Sequence, residues 1–179
     1  PPSGLTSLNT RYPEVMYCSR SELANQWDVA DAVGFGPGVG DWAGQLATIL
    51  TYSPKPLVLD ADALTAISED RQLLERLPAG CILTPHMKEF DRLFGHHDHW
   101  WARIQTAKEK AKRHRLVIIL KNRYTFIVPP EGRVLINPTG NAAMATGGSG
   151  DVLTGILVAL LAQQYAPQDA AVLGCYIHG

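Results

Sequence analysis

The chain of 179 residues has few cysteines: Cys18, Cys81 and Cys175 stand far apart, mostly inside apolar runs. An odd number without a CxxC pair excludes a disulfide framework and offers no zinc or redox motif, so buried thiols in a reducing compartment are expected. Charge of one sign is missing too. Sixteen Lys and Arg balance 17 Asp and Glu, for a net charge of −1. That leaves no basic excess to displace counterions from a phosphate backbone, which excludes a nucleic-acid partner. Charged residues make up 18%, below the usual ~25%. No basic stretch followed by an apolar core opens the sequence. The longest apolar run, around Ile156 to Ala162, is far short of the ~20 residues that cross a bilayer. A cytoplasmic location without a membrane partner is the expectation. Nor is there a GxxxxGK[ST] loop, a GxGxxG loop, an internal repeat, a low-complexity tract or an interdomain linker. What is present is a hydrophobic fraction of 46%, enough to exclude disorder in a chain that can bury roughly 70% of its unfolded surface as one domain.

Apolar runs alternate with Gly/Pro punctuation and helical spacing. Residues 28–35 alternate as a strand and stop at GPGVG, and Trp42 to Leu50 reads as a helix. Pro56 to Asp60 is a strand, Ala63 to Leu77 is one or two helices, and Cys81 to Thr84 is a strand ending at Pro85-His86. Trp100 to His114 has the spacing of a surface helix. Leu116 to Leu120 is a strand, and Thr125–Val128 with Arg133–Ile136 reads as a hairpin around Pro129 to Gly132. Such alternation predicts an α/β fold: a mainly parallel sheet, helices on both faces and an antiparallel hairpin near the C-terminal third. GPGVG, LDADAL, LTPHMKEF and LKNRYT all fall at the carboxyl ends of strands, the edge of an open parallel sheet that binds ligands.

Asn137 to Leu161 reads NPTGNAAMATGGSGDVLTGILVALL. Gly147, Gly148 and Gly150 permit a sharp backbone bend close to a ligand. The following run, apolar almost all round, suits a helix packed inside the domain. Its N-terminus would present unsatisfied amides and the positive dipole end to an anion, most naturally a phosphate in transfer. Asp151 is then either an N-cap or a base that takes a proton from a hydroxyl attacking phosphorus.

These blocks together resemble the NAD(P)H-hydrate dehydratase family, whose members have a ribokinase-like fold. GNAAMATGGSGDVLTGILVALLAQ is the most specific match. GFGPGVG, VLDADAL, LTPHMKEFDRL, VIILK with its following Thr, and the terminal YIHG are similar to further family blocks in the same order. The resemblance implies a single domain over 1–179 that lacks an N-terminal strand and helix and its C-terminal end. It also implies repair of hydrated NADH and NADPH: ADP or ATP, with Mg²⁺, phosphorylates the ring hydroxyl, and phosphate then leaves.

In that scheme Asp151 is the base and touches the substrate, while Gly147, Gly148, Ser149 and Gly150 form the anion hole. Gly36, Gly38, Gly40 and His86 meet the hydrate. Lys121, Asn122, Arg123, Tyr124 and Thr125, with Gly150, meet the nucleotide. A homo-oligomer, a tetramer in the family, is implied as well. Each residue has a plainer reading: turn glycines, a strand-end histidine bonded to backbone, a solvated lysine. Asp60 and Asp62 could hold Mg²⁺ through water, but a structural role capping the next helix is preferred, and no protein metal site is expected. Asn141 either bonds substrate or shapes its loop. The chain departs from the family at Met87-Lys88, which stand for Pro-Gly, at Asn122 for Gly, and at Ser149 for a common Thr. A small-molecule kinase of the same fold (for hydroxymethylpyrimidine, pyridoxal or a sugar) and a nucleotide-binding module without turnover are the alternatives.

His96, His97 and His99 resemble a metal cluster, but neighbouring histidines diverge and no ligand at a usual spacing completes a set. Lys and Arg between Arg103 and Arg115 read as a solvated helix face. Trp100 and Trp101 fit either an oligomer edge or core packing.

Overall fold

The computed structural model describes residues 10–16, 22, 26–52, 55–140, 144 and 146–179. Cys18 and Asn141 lie outside these described residues. Two compact units divide the chain, Pro1–Ala30 and Asp31–Gly179. In the first, residues 10–11 and 26–27 are helical, and the amides of Val15 and Ala30 bond to the carbonyls of Tyr12 and Trp27.

The second unit is built on strands β1 Val33–Phe35, β2 Leu57–Leu59, β3 Ile82–Leu83, β4 Val117–Leu120, β5 Thr125–Val128 and β6 Leu135–Asn137, neighbours in that order. Strands β1 to β4 are parallel, and β5 is antiparallel to both β4 and β6. The antiparallel hairpin is thus β5–β6, added to the parallel strands through β4 as expected. A 3₁₀ turn, Gly40–Gln45, and α1, Leu46–Ile49, join β1 to β2. Helices α2, Asp62–Glu69, and α3, Gln72–Glu75, join β2 to β3; α4, Met87–Phe94, and α5, Trp100–His114, join β3 to β4. After β6 come α6, Ser149–Ala162, and α7, Pro167–His178.

Because β1 to β4 step across the sheet in one direction, right-handed crossovers put all three connections on one face. Helices α6 and α7 cover the other. Val58, Ile82, Val117, Ile119 and Ile127 form one buried cluster with Leu153, Leu157, Leu161 and Ala171. The alternate residues Leu57, Leu59, Leu83, Ile118 and Leu120 are equally buried, pointing into the opposite layer as the pleat requires. A sheet covered on both sides needs apolar residues at every position, which is why these strands read as continuous runs.

Several expectations need correction. Strand β1 is three residues long, and Asp28-Val29 form a turn. Its length is set by β2, which pairs only from Leu57 onward because Pro56 has no amide to donate; Pro56 accepts from Val33 instead. Strand β6 runs Leu135–Asn137, opposite Thr125 to Ile127, and so lies one to two residues later than the pattern indicates. Two helices carry no expectation at all: α4 and α7. Helix α4 starts on a histidine cap, an unusual residue for that place, and α7 on Pro167 at its first position. Helix α6 buries one face only. Leu153, Thr154, Leu157, Leu160 and Leu161 face inward, whereas Val152 is 57% exposed. The sheet and α7 pack on it.

Candidate functional site

All four segments singled out by their position follow β1, β2, β3 and β4 at one edge of the sheet, and the start of α6 reaches the same edge. The loop after β1 holds three glycines with positive φ: Gly36 at +129°, Gly38 at +64° and Gly40 at +55°. Gly36 is obligatory on space as well. A Cβ there would stand 1.8 Å from the Asp60 carbonyl oxygen. The loop is tied to the next segment by the Gly40 amide, which donates to Asp62 Oδ2 at 2.8 Å.

Asp60, only 3% exposed, closes β2. Its Oδ1 accepts from the Ala61 amide at 2.9 Å and from the Lys121 ammonium at 2.8 Å. Its Oδ2 accepts from the Thr154 hydroxyl of α6 at 3.3 Å. The backbone turns sharply here, with Ala61 at φ +47°, a conformation unfavourable for a residue with a Cβ. Both carboxylates of the LDAD motif accept from protein donors, but neither caps the next helix as expected: the N-cap of α2 is Ala61, with no side-chain cap bond, because the carboxylates are drawn to Gly40, Lys121 and Thr154 instead. Among the described residues no group of three His, Cys, Asp or Glu side chains could cage an ion.

Lys121 is not a solvated strand cap. Its amide donates to Pro85, and its side chain turns inward to Asp60. Asn122, Arg123 and Tyr124 are exposed beyond it, with the Arg123 guanidinium 5.7 Å from the Tyr124 ring centre; Thr125 begins β5.

Gly148, at φ +90°, is the N-cap of α6, so Asp151 is not the cap. Val152 makes the first helical hydrogen bond, to Gly148, which leaves the Gly150 and Asp151 amides at the open, positive end. Gly147, Gly148 and Asp151 are exposed, and Ser149 and Gly150 are half-buried. Beneath the turn a Cβ on Gly150 would lie 3.3 Å from Asp60 Oδ2 and 3.4 Å from Lys121 Nζ. The ion pair is the floor of the bend. Behind it, His178 at the end of α7 bonds through Nε2 to the Ser149 carbonyl at 2.8 Å, with Ser149 Oγ at 3.2 Å.

His86 caps α4. Its Nδ1 accepts from the Lys88 and Glu89 amides at 3.1 and 3.3 Å, and the His86 amide donates in return to Glu89 Oε2 at 2.8 Å. A ring nitrogen that accepts twice carries no proton, so the N–H is on Nε2, 3.5 Å from Glu89 Oε1. Met87 and Lys88 simply form the first turn of α4. The histidines of GHHDH diverge. His97 bonds Asp91 and Thr106, His99 caps α5, and His96 faces Asp98 on the surface. Trp100 stacks on Phe126 with ring centres 5.9 Å apart, yet stays 53% exposed.

The structure thus gathers the glycine loops, Lys121 and Asp151 at one sheet edge. Sequence reasoning missed Thr154 and His178 and passed over Asp60 as structural. Thr154 had one cue, being the lone hydroxyl in the apolar run from Val152 to Leu161. A groove of about 850 Å³ between β6 and α7, lined by residues such as Leu135, Ile136, Val172 and Tyr176, includes none of these segments. It is lined by Arg133, Glu131 and Asp169 and includes neither the glycine bend nor Lys121.

A family model for NAD(P)H-hydrate dehydratase matches residues 2–179. An ADP-dependent (S)-NAD(P)H-hydrate dehydratase of Neisseria meningitidis is 41% identical over 94% of this chain and 59% of its own length. The chain therefore spans about three fifths of that relative. An ADP/ATP-dependent NAD(P)H-hydrate dehydratase of Bacillus subtilis, co-crystallised with ATP/Mg²⁺, superposes with a TM-score of 0.68 at 34% identity over 83% of this chain and 53% of that one. A ribokinase-like superfamily protein of Enterococcus faecalis superposes at 0.79, with 28% identity over 97% of this chain and 63% of that one.

Proposed function

The chain belongs to the NAD(P)H-hydrate dehydratase family and has its ribokinase-like fold, and on that premise we propose that it carries the nucleotide-dependent dehydration of hydrated NADH and NADPH. The observation that carries this reading is the start of α6, where Gly150 stands directly over the Asp60–Lys121 pair and the next residue, Asp151, is exposed. Phosphoryl transfer asks a protein mainly for positioning and charge stabilisation. Amides at a helix N-terminus and a fixed cation supply both.

In the proposed reaction the hydroxyl on the hydrated nicotinamide ring attacks the terminal phosphorus of ADP or ATP. Asp151 takes the hydroxyl proton, one O–P bond forms, and the bond to the nucleotide breaks. The amides of Gly147, Gly148 and Gly150 hold the equatorial oxygens, joined by that of Ser149 once it leaves the Thr146 carbonyl, to which it donates at 3.3 Å, and Mg²⁺ enters with the nucleotide. The ring nitrogen's lone pair then expels phosphate, and loss of a proton from the adjacent carbon restores the double bond. Asp151 reaches a substrate laid across the turn because nothing described covers it.

Gly36, Gly38, Gly40 and the Nε2–H of His86 receive the hydrate. Lys121 to Thr125 and Gly150 receive the nucleotide. Residues 1–179 belong to one domain of a cytoplasmic homo-oligomer, a tetramer by family likeness. The test is absorbance at 340 nm: hydrated NADH with ADP or ATP and the protein recovers NADH signal, with nucleotide consumed in equal amount. Nucleotide loss without recovery, or no change at all, refutes the reading.

A further inference from the structure

Asp60 is where three of the strand-end segments meet the start of α6. Its carbonyl fills the space above Gly36, its Oδ1 holds Lys121, and its Oδ2 holds Thr154 in the second turn of α6. We infer that Asp60 is a positioning residue: it fixes the Lys121 ammonium as a cationic floor under the first turn of α6, where a nucleotide's terminal phosphate is received. The inference rests on the nucleotide half of the proposed function.

The physical case begins with burial. The Asp60 side chain is 4% exposed and the Lys121 side chain 23%. A carboxylate so enclosed is stable only with donors on its oxygens, and it has three: the Ala61 amide, the Lys121 ammonium and the Thr154 hydroxyl. An ammonium carries three N–H donors. One goes to Asp60, leaving the others for an anion at the bend.

A helix terminus alone offers about half a charge; the lysine adds an ammonium at the same place, its charge partly offset by the Asp60 carboxylate but its remaining N–H donors held in position. A free lysine would lose its side-chain freedom on binding, whereas one already tethered does not, which is the gain of preorganisation. The carboxylate that tethers the cation also grips α6, so cation and amides move as one body. That linkage distinguishes Asp60 from a brace that only keeps β2 and α6 together.

A double-mutant cycle on the full chain tests this, with ADP affinity read by calorimetry and folding by thermal melt. Asp60→Asn and Lys121→Met should each weaken ADP about tenfold, and the double variant should bind within about threefold of Lys121→Met alone. Independent losses that multiply to about a hundredfold, or an Asp60→Asn variant with unchanged affinity, overturn the inference. Should Asp60→Asn not fold, Thr154→Val perturbs the same carboxylate from its other oxygen. It should cost about two- to fivefold in the parent and nothing beside Lys121→Met, and an equal cost in both backgrounds overturns the claim. A parent chain that binds no ADP also overturns it. A parent that binds ADP and shows the coupling, but restores no NADH, refutes the dehydratase reading while the inference stands.

Discussion

Replacing Gly36 by alanine puts a methyl group where the chain has no room for one. The added Cβ would lie 1.8 Å from the Asp60 carbonyl oxygen and 2.9 Å from the Ala63 Cβ. The residue also has to keep φ at +129°, at a strain of ~1–3 kcal/mol for a residue with a Cβ. Relieving the overlap means moving the backbone of Asp60, which is tied to Phe35 by its amide and to α2 by its carbonyl. Overpacking of that kind costs a further ~1–3 kcal/mol.

The sum is ~4 kcal/mol, which at ~2–4 °C per kcal/mol for a domain of this length lowers the Tm by ~8–16 °C. Gly38 is the internal control. It has φ +64° and no atom within 4 Å of an added Cβ, so Gly38→Ala carries the left-handed penalty alone, ~1–2 kcal/mol. Differential scanning calorimetry of the two variants side by side decides the matter. Equal melting temperatures would refute the claim that the loop after β1 is locked against Asp60.

Asp151→Asn should lower turnover of hydrated NADH by ~10²–10⁴-fold and leave ADP affinity within about threefold, since the amides at the bend are unchanged; unaltered turnover removes Asp151 as the base. Asp91 gives a pH prediction. Burial raises its pKa, but hydrogen bonds from Arg103 and His97 and their charges outweigh it and hold the carboxyl below its ordinary value. Stability from a lowered carboxylate is present above its unfolded pKa and lost as pH falls through the folded one. Arg103→Met should therefore destabilise by ~1–3 kcal/mol at pH 7, and urea titrations should show that gap closing below about pH 4; a gap independent of pH refutes the assignment. Burial also pushes the Cys175 thiol up to about 12 and the Cys81 thiol higher still. Alkylation mapped by mass spectrometry should find both unmodified in the native chain and both labelled in denaturant, and labelling of either in the native state contradicts their burial.

Much of the architecture is legible in one dimension because burial on two faces leaves a mark. Leu57–Leu59, Ile82–Leu83 and Val117–Leu120 are uninterrupted apolar runs, and each is followed by glycine, proline or charge where the strand ends. Strand β1 is less legible, since its extent depends on where β2 can donate, and Pro56 decides that from the neighbouring strand. Helix α4 hides because a histidine does the capping usually left to Ser, Thr, Asp or Asn.

By itself the sequence determined most of the strands and helices, the sheet edge where the marked loops gather and the glycine bend before α6, because periodicity, backbone permissiveness and strand ends are local properties. Tertiary structure alone decided what lies under and behind that bend. Lys121 and Asp60 are 61 residues apart, Thr154 and Asp60 are 94 apart, and His178 and Ser149 are 29 apart. A polar residue shows in sequence that it needs a partner, but not which one. The sheet order and the packing of α6 and α7 choose it, and so turn an aspartate at a strand end into the anchor of a half-buried cation.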